Sequence, residues 1–137
     1  MSDVSGLQNE QASVQGQQAE AEYQNAVLRE QVARLERCKQ IVSTEKGAYR
    51  QLNMTDFQRI RAYSYEWKGN TFNTFQSDGG VFLQKGNEYL NAIDATLDAL
   101  NIKITELKNQ IREGEGFIAW CISRLSVLAT MIENALN

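Results

Sequence analysis

The chain contains no proline and no histidine. Without proline, long stretches are free of the residue that most reliably breaks a helix. Without histidine, Ser–His and Cys–His activation of a nucleophile is excluded, as are metal sites built on imidazole. Cysteine is scarce: Cys38 and Cys121 lie far apart and match no metal-ligand spacing. They are expected as free, buried thiols rather than as a disulfide. Positive charge is also in short supply, with 14 Lys and Arg against 17 Asp and Glu, a net charge of −3 and a pI near 5.0. A phosphate backbone needs concentrated positive charge, so nucleic-acid binding is not expected. The thirteen residues before Val14 are largely polar and carry no Lys or Arg beside an apolar run. The expectation is a chain without a conventional secretory signal.

What is present is periodicity. The 137 residues, 42% of them apolar, fit a single domain. From Val4 to Val42, one heptad position reads Leu7, Val14, Ala21, Leu28, Leu35, Val42, and its companion reads Val4, Gln11, Gln18, Asn25, Val32, Lys39. Two such positions form a seam that another helix can bury. Here the companion position is mostly polar before Val32. A fuller pattern follows from Leu83: Leu83, Leu90, Leu97, Ile104, Ile111, Ile118, Leu125, Ile132 at one position, and Gly86, Ile93, Leu100, Leu107, Gly114, Cys121, Leu128, Ala135 at the other. Such a run predicts a helix of roughly 80 Å at about 1.5 Å per residue. Gly86, Gly114 and Gly116 are its weak points, each costing about 1 kcal/mol relative to alanine, and a bend is expected near Gly114.

Between the two patterns the chain is punctuated. Gly47 interrupts or ends the first helix. Thr55-Asp56-Phe57-Gln58 has the form of a capping box, which predicts a short helix burying Phe57, Ile60 and Tyr63. Trp67-Lys68-Gly69-Asn70 marks a break, with Asn70 or Thr71 available to cap the next helix. Ser77-Asp78-Gly79-Gly80 is a last soft spot. The expected fold is all-α: one domain over 1–137, an elongated antiparallel helical hairpin. Its parts are an N-terminal helix over about 4–46, a short helix over about 56–66, a Trp-x-Gly turn at 67–70 and a long C-terminal helix over about 81–136.

No catalytic or cofactor-binding constellation emerges. The stretch from Gly80 to Gly86 ends Lys-Gly rather than Gly-Lys-Ser/Thr, so it is not a phosphate-binding loop. The carboxylates fall at solvent positions of helices, where they supply charge pairing and solubility. The segment from Phe117 to Ile132 is apolar nearly all round, but it spans only sixteen residues and has Arg124 at its middle. A spanning helix needs about 20 residues, so the segment reads as an extra face for a larger bundle, not as a membrane insertion. Its expected neighbour, the chain before Asn25, has a seam half made of Gln and Asn. The surplus apolar surface points to a partner. Phe117, Ile118, Trp120, Leu125 and Ile132 are the residues expected to meet it, and the isolated chain is expected to self-associate or to fray before about Asn25.

Trp67-Lys68-Gly69, followed by Phe72 and Phe75 and by the run through Tyr89, Ile93, Lys103-Ile104-Thr105-Glu106-Leu107 and Gln110-Ile111, resembles the WXG superfamily of small helical proteins of type VII secretion. It is most similar to the α-helical partner proteins encoded beside LXG toxins in Gram-positive bacteria. That resemblance, over about 35–128, implies a chaperone-like, non-enzymatic targeting factor that binds the helical N-terminal domain of an LXG toxin. Trp67, Gly69, Phe72 and Phe75 are its motif residues. The Tyr- or Phe-x-x-x-Asp export element of many such substrates is absent: Phe75 has Asp78 three residues on, and Tyr89 has Asp94 five on. A second small helical partner is therefore expected to carry the export signal. The implied location is cytoplasmic, with co-secretion alongside the toxin an open alternative. A self-associating coiled-coil component of a phage or cell-surface assembly is the competing reading, and an immunity protein a third.

Overall fold

A computed structural model describes residues 2–63 and 69–137, and among these every element is helical. Helix α1 spans Ser2–Arg50, a π-helical turn spans Gln51–Asp56, α2 spans Phe57–Tyr63, and α3 spans Asn70–Leu136. Chain segments from α1 and α3 pack against each other. The contacts fall into two compact units, one formed by 1–34 with 104–137 and the other by 35–103.

In the first unit the two helical segments run antiparallel, as the pairing of Glu10 with Arg124 and of Asn25 with Ile111 requires. Val14, Cys121 and Leu128 form its buried cluster, with Leu7 and Leu125 packed against them. Val32, Ile104 and Leu107 are buried further along. These are the heptad positions, because residues three and four apart share one helix face. Cys121 is fully buried and serves as a small core residue, whereas Cys38 is exposed, and both are free thiols. Cys38 therefore departs from the expected pair of buried thiols: it stands outside the seam, between Leu35 and Val42.

The second unit is also antiparallel. Lys46 pairs with Asp94, and Tyr49 meets Tyr89 edge-on with ring centroids 4.7 Å apart. Leu90 and Ile93 are its buried aliphatic residues. Helix α1 continues through Gly47, where a break was expected. A helical glycine costs only about 1 kcal/mol, and the flanking contacts of Lys46 and Tyr49 hold the segment in place. Likewise α3 starts at Asn70, not near 81, and runs through Ser77-Asp78-Gly79-Gly80. There Phe57 of α2 packs against Phe75 and Phe82, with centroids 6.0 and 4.5 Å apart. Arg61 also clamps Gln76: its Nε donates to Gln76 Oε1 and its Nη2 to Gln76 O, both at 2.9 Å.

The capping box is not formed. The backbone is already helical at Arg50 and remains so at Phe57, whose N–H donates to Leu52 O across a π turn. That amide has a partner upstream, so the start of α2 does not present the orphan donors a capping box would satisfy. The π turn absorbs one extra residue and shifts the phase of the seam. Inward positions run 42, 46, 49 and 53, then 57 and 61. Ile60, expected in the core, is consequently 55% exposed, and Tyr63's side chain lies outside the described residues.

Candidate interaction surface

The seam contains two built polar layers. Asn25 is 2% exposed and donates from Nδ2 to Ile111 O at 3.1 Å. It fits because residue 114 is glycine: a Cβ there would lie 2.8 Å from Asn25 Cγ. Asn53, in the π turn, is fully buried and faces Gly86, where a Cβ would lie 2.6 Å from Asn53 Cγ. Neither carboxamide atom of Asn53 has a partner among the described residues. Asn25 and Asn53 stand four heptads apart, as do Gly86 and Gly114. The glycine read as a bend point is therefore the space that admits an asparagine, and the helix continues through it.

The expected partner-binding residues divide into three groups. Ile118, Leu125 and Ile132 are half-buried at seam positions of α3, and Leu125 packs on the core cluster, so they hold the first unit together. Phe117 and Trp120 lie outside the seam at 41% and 51% exposure, their rings stacked with centroids 5.9 Å apart. Trp67 lies outside the described residues. Gly69 has φ +77°, a left-handed conformation that glycine adopts without strain, and its carbonyl accepts from Asn73 N at 3.2 Å. It thus stands where Asn70 or Thr71 was expected to cap α3. Phe72 and Phe75 are half-buried.

Val127 and Met131 are exposed beside Phe117 and Trp120. At about 100° per residue, all four fall on one shoulder of α3, next to the seam rather than in it. Heptad counting passes over such a shoulder, although the spacing 117, 120, 127, 131 would have marked it. Arg124 lies within the stripe and is tied down by Glu10, with its Nε and Nη2 at 2.7 and 2.6 Å from Glu10 Oε1. Across from Phe117 a shallow groove of about 470 Å³ is lined on α1 by Ser13, Gly16, Gln17, Glu20 and Ala21. These small and polar side chains leave Phe117 partly uncovered. By length and composition α3 could cross a membrane, and only 11% of its most apolar window is buried.

A larger cleft of about 690 Å³ lies in the second unit between Phe57, Phe75 and Phe82, beside Thr74 and Asp78. Among the described residues Asp78 is the one titratable group on its wall. In comparisons with protein-family models, curated proteins and solved structures, the chain matches none.

Proposed function

We propose that this chain is a non-enzymatic adaptor that binds a helical segment of another protein. In its most specific form the reading is a chaperone-like targeting factor for the helical N-terminal domain of an LXG toxin exported by type VII secretion, with a second small helical partner supplying the export signal. It acts in the cytoplasm and accompanies the toxin to the secretion machinery. The fold that goes with this reading is an antiparallel helical hairpin whose turn is Trp67-Lys68-Gly69. The single observation that carries the binding role is the uncovered apolar shoulder Phe117, Trp120, Val127 and Met131, since large apolar patches mark interaction sites. A membrane is the weaker occupant, because Arg124 and its ion-pair partner Glu10 would have to enter the apolar phase with it.

The test is capture of a tagged copy from its native host, followed by mass spectrometry and an export assay in a strain lacking the gene. Recovery of a large toxin and a second small helical protein, with toxin export lost in the deletion strain, is the expected result. Recovery of the chain with itself alone, and unchanged export, would replace the adaptor by a self-associating structural component.

A further inference from the structure

We infer that the shoulder of α3 in the first unit is a docking site for one amphipathic helix of a different chain, and that this helix carries Lys or Arg beside its apolar stripe. The inference rests on the reading of the chain as a helix-binding adaptor and specifies the chemistry of what it binds.

The apolar half of the argument is geometric. Phe117, Trp120, Val127 and Met131 recur at helical spacing along one side of α3, each between 41% and 51% exposed. Beside Phe117 the α1 wall is built of Ser13, Gly16, Gln17 and Ala21. A wall of large side chains beside a wall of small ones forms a groove that takes a helix laid lengthwise, which anchors residues at i, i+3, i+4 and i+7.

The charge half decides who lies there. Over residues 4–28 and 113–137 there are six carboxylates (Glu10, Glu20, Glu22, Glu113, Glu115 and Glu133) and a single cation, Arg124, and Arg29, next to this stretch, pairs with Glu115. The other thirteen Lys and Arg lie between positions 29 and 112. Arg124 is already committed to Glu10. Glu20 lines the groove itself, and Glu113 precedes Phe117 by one helical turn. An incoming helix with cations flanking its stripe meets complementary charge on both walls. A second copy of this face would instead set its own Glu20 and Glu113 against the same two carboxylates, and an anionic lipid surface would be repelled in the same way.

Two synthetic peptides of about 18 residues with one shared Leu/Ile stripe, flanked in one by Lys and in the other by Glu, test the proposal by calorimetric titration into the full chain. The Lys peptide is expected to bind at least ~10-fold more tightly at low salt, with the difference shrinking at high salt. Trp120→Ser with Met131→Ser alters exposed positions only, so the fold is expected to persist by circular dichroism while binding is lost. Glu20→Lys with Glu113→Lys should erase or reverse the preference, whereas Glu45→Lys with Asp98→Lys in the second unit should leave it in place. Equal affinity for both peptides, binding untouched by the Trp120 and Met131 changes, or concentration-dependent self-association through this same face would each overturn the proposal. Failure here is separable from failure of the adaptor reading. A native partner still captured by the Trp120/Met131 double variant sinks the docking site alone, whereas selective Lys-peptide binding without a captured toxin sinks the toxin assignment alone.

Discussion

Replacing Gly114 with alanine would stabilise an ordinary exposed helix by about 1 kcal/mol. In this chain the sign should reverse. The new Cβ would lie 2.8 Å from Asn25 Cγ, well inside the 3.5–4.0 Å at which carbon atoms pack. Asn25 is almost fully buried and has little room to swing away. Overpacking of this kind costs about 1–3 kcal/mol, and losing the bond to Ile111 O adds about 1 kcal/mol. The net expectation is destabilisation by about 1–3 kcal/mol after the helix-propensity gain is subtracted. Asn25→Ala in the Gly114→Ala background should recover most of that, so the two changes couple by about 2 kcal/mol in a double-mutant cycle. Urea titrations followed by helical circular dichroism measure all four corners. Gly16→Ala is the internal control, because nothing lies within 4 Å of a Cβ there, and it should gain about 1 kcal/mol. If Gly114→Ala shifts the midpoint upward as Gly16→Ala does, the Asn25–Gly114 layer is refuted.

Asn53→Ala should be neutral or stabilising by about 1–3 kcal/mol, because its buried carboxamide has no partner among the described residues; the same urea titration reads it, and a marked loss would reveal one. Gly69→Ala should cost about 1–2 kcal/mol through its positive φ, with Gly69→Asn costing less, as measured by thermal melts of the two variants. Maleimide labelling of the native chain should modify Cys38 quickly and Cys121 only after denaturant is added; equal rates would contradict the buried cluster around Val14. Arg124→Ala should cost no more than about 1 kcal/mol, and less at high salt, because the pair with Glu10 is partly exposed; urea midpoints at two salt concentrations check it.

The two heptad patterns were enough to read the seam. Except for Ala135, each of their positions is buried or half-buried, because a repeat of three and four residues needs nothing beyond helical geometry to define a face. The π turn was not legible. Thr55-Asp56-Phe57-Gln58 satisfies the local rule for a helix start, but the upstream helix does not stop and the amides arrive already paired. Local propensity proposes a boundary, and tertiary packing of Phe57 on Phe75 and Phe82 removes it. The glycines were misread for a related reason. Gly114 and Gly86 look like flaws when scored one residue at a time, and their purpose shows only when the residue opposite is known to be asparagine. Ile60 follows the period of Phe57 and Tyr63 inward, and the phase shift carries it outward; Cys38, at neither heptad position, is exposed as that pattern alone implies.

The exposed stripe follows from what α1 contributes opposite it. Gln11, Gln18 and Asn25 occupy one of the two seam positions of α1 before Val32, and Leu7, Val14, Ala21 and Leu28 the other. A single apolar row makes a narrow contact, so α3 buries Cys121 and Leu128 against α1 while its shoulder at Phe117, Trp120, Val127 and Met131 stays outside. A bulkier α1 would have covered that shoulder and left nothing to dock. The same weakness fixes where partner binding should be felt. A helix lying along the groove would touch Ser13, Gln17 and Glu20 as well as Phe117 of α3, so it would add contacts to the stretch of α1 before Asn25. Because such a helix binds the folded state and not the unfolded chain, it raises stability by mass action, by about 2.7 kcal/mol at 100 times its dissociation constant. Slowed amide exchange along α1 before Asn25 should accompany that gain. A gain in stability with unchanged exchange in this stretch would place the docked helix somewhere other than the groove.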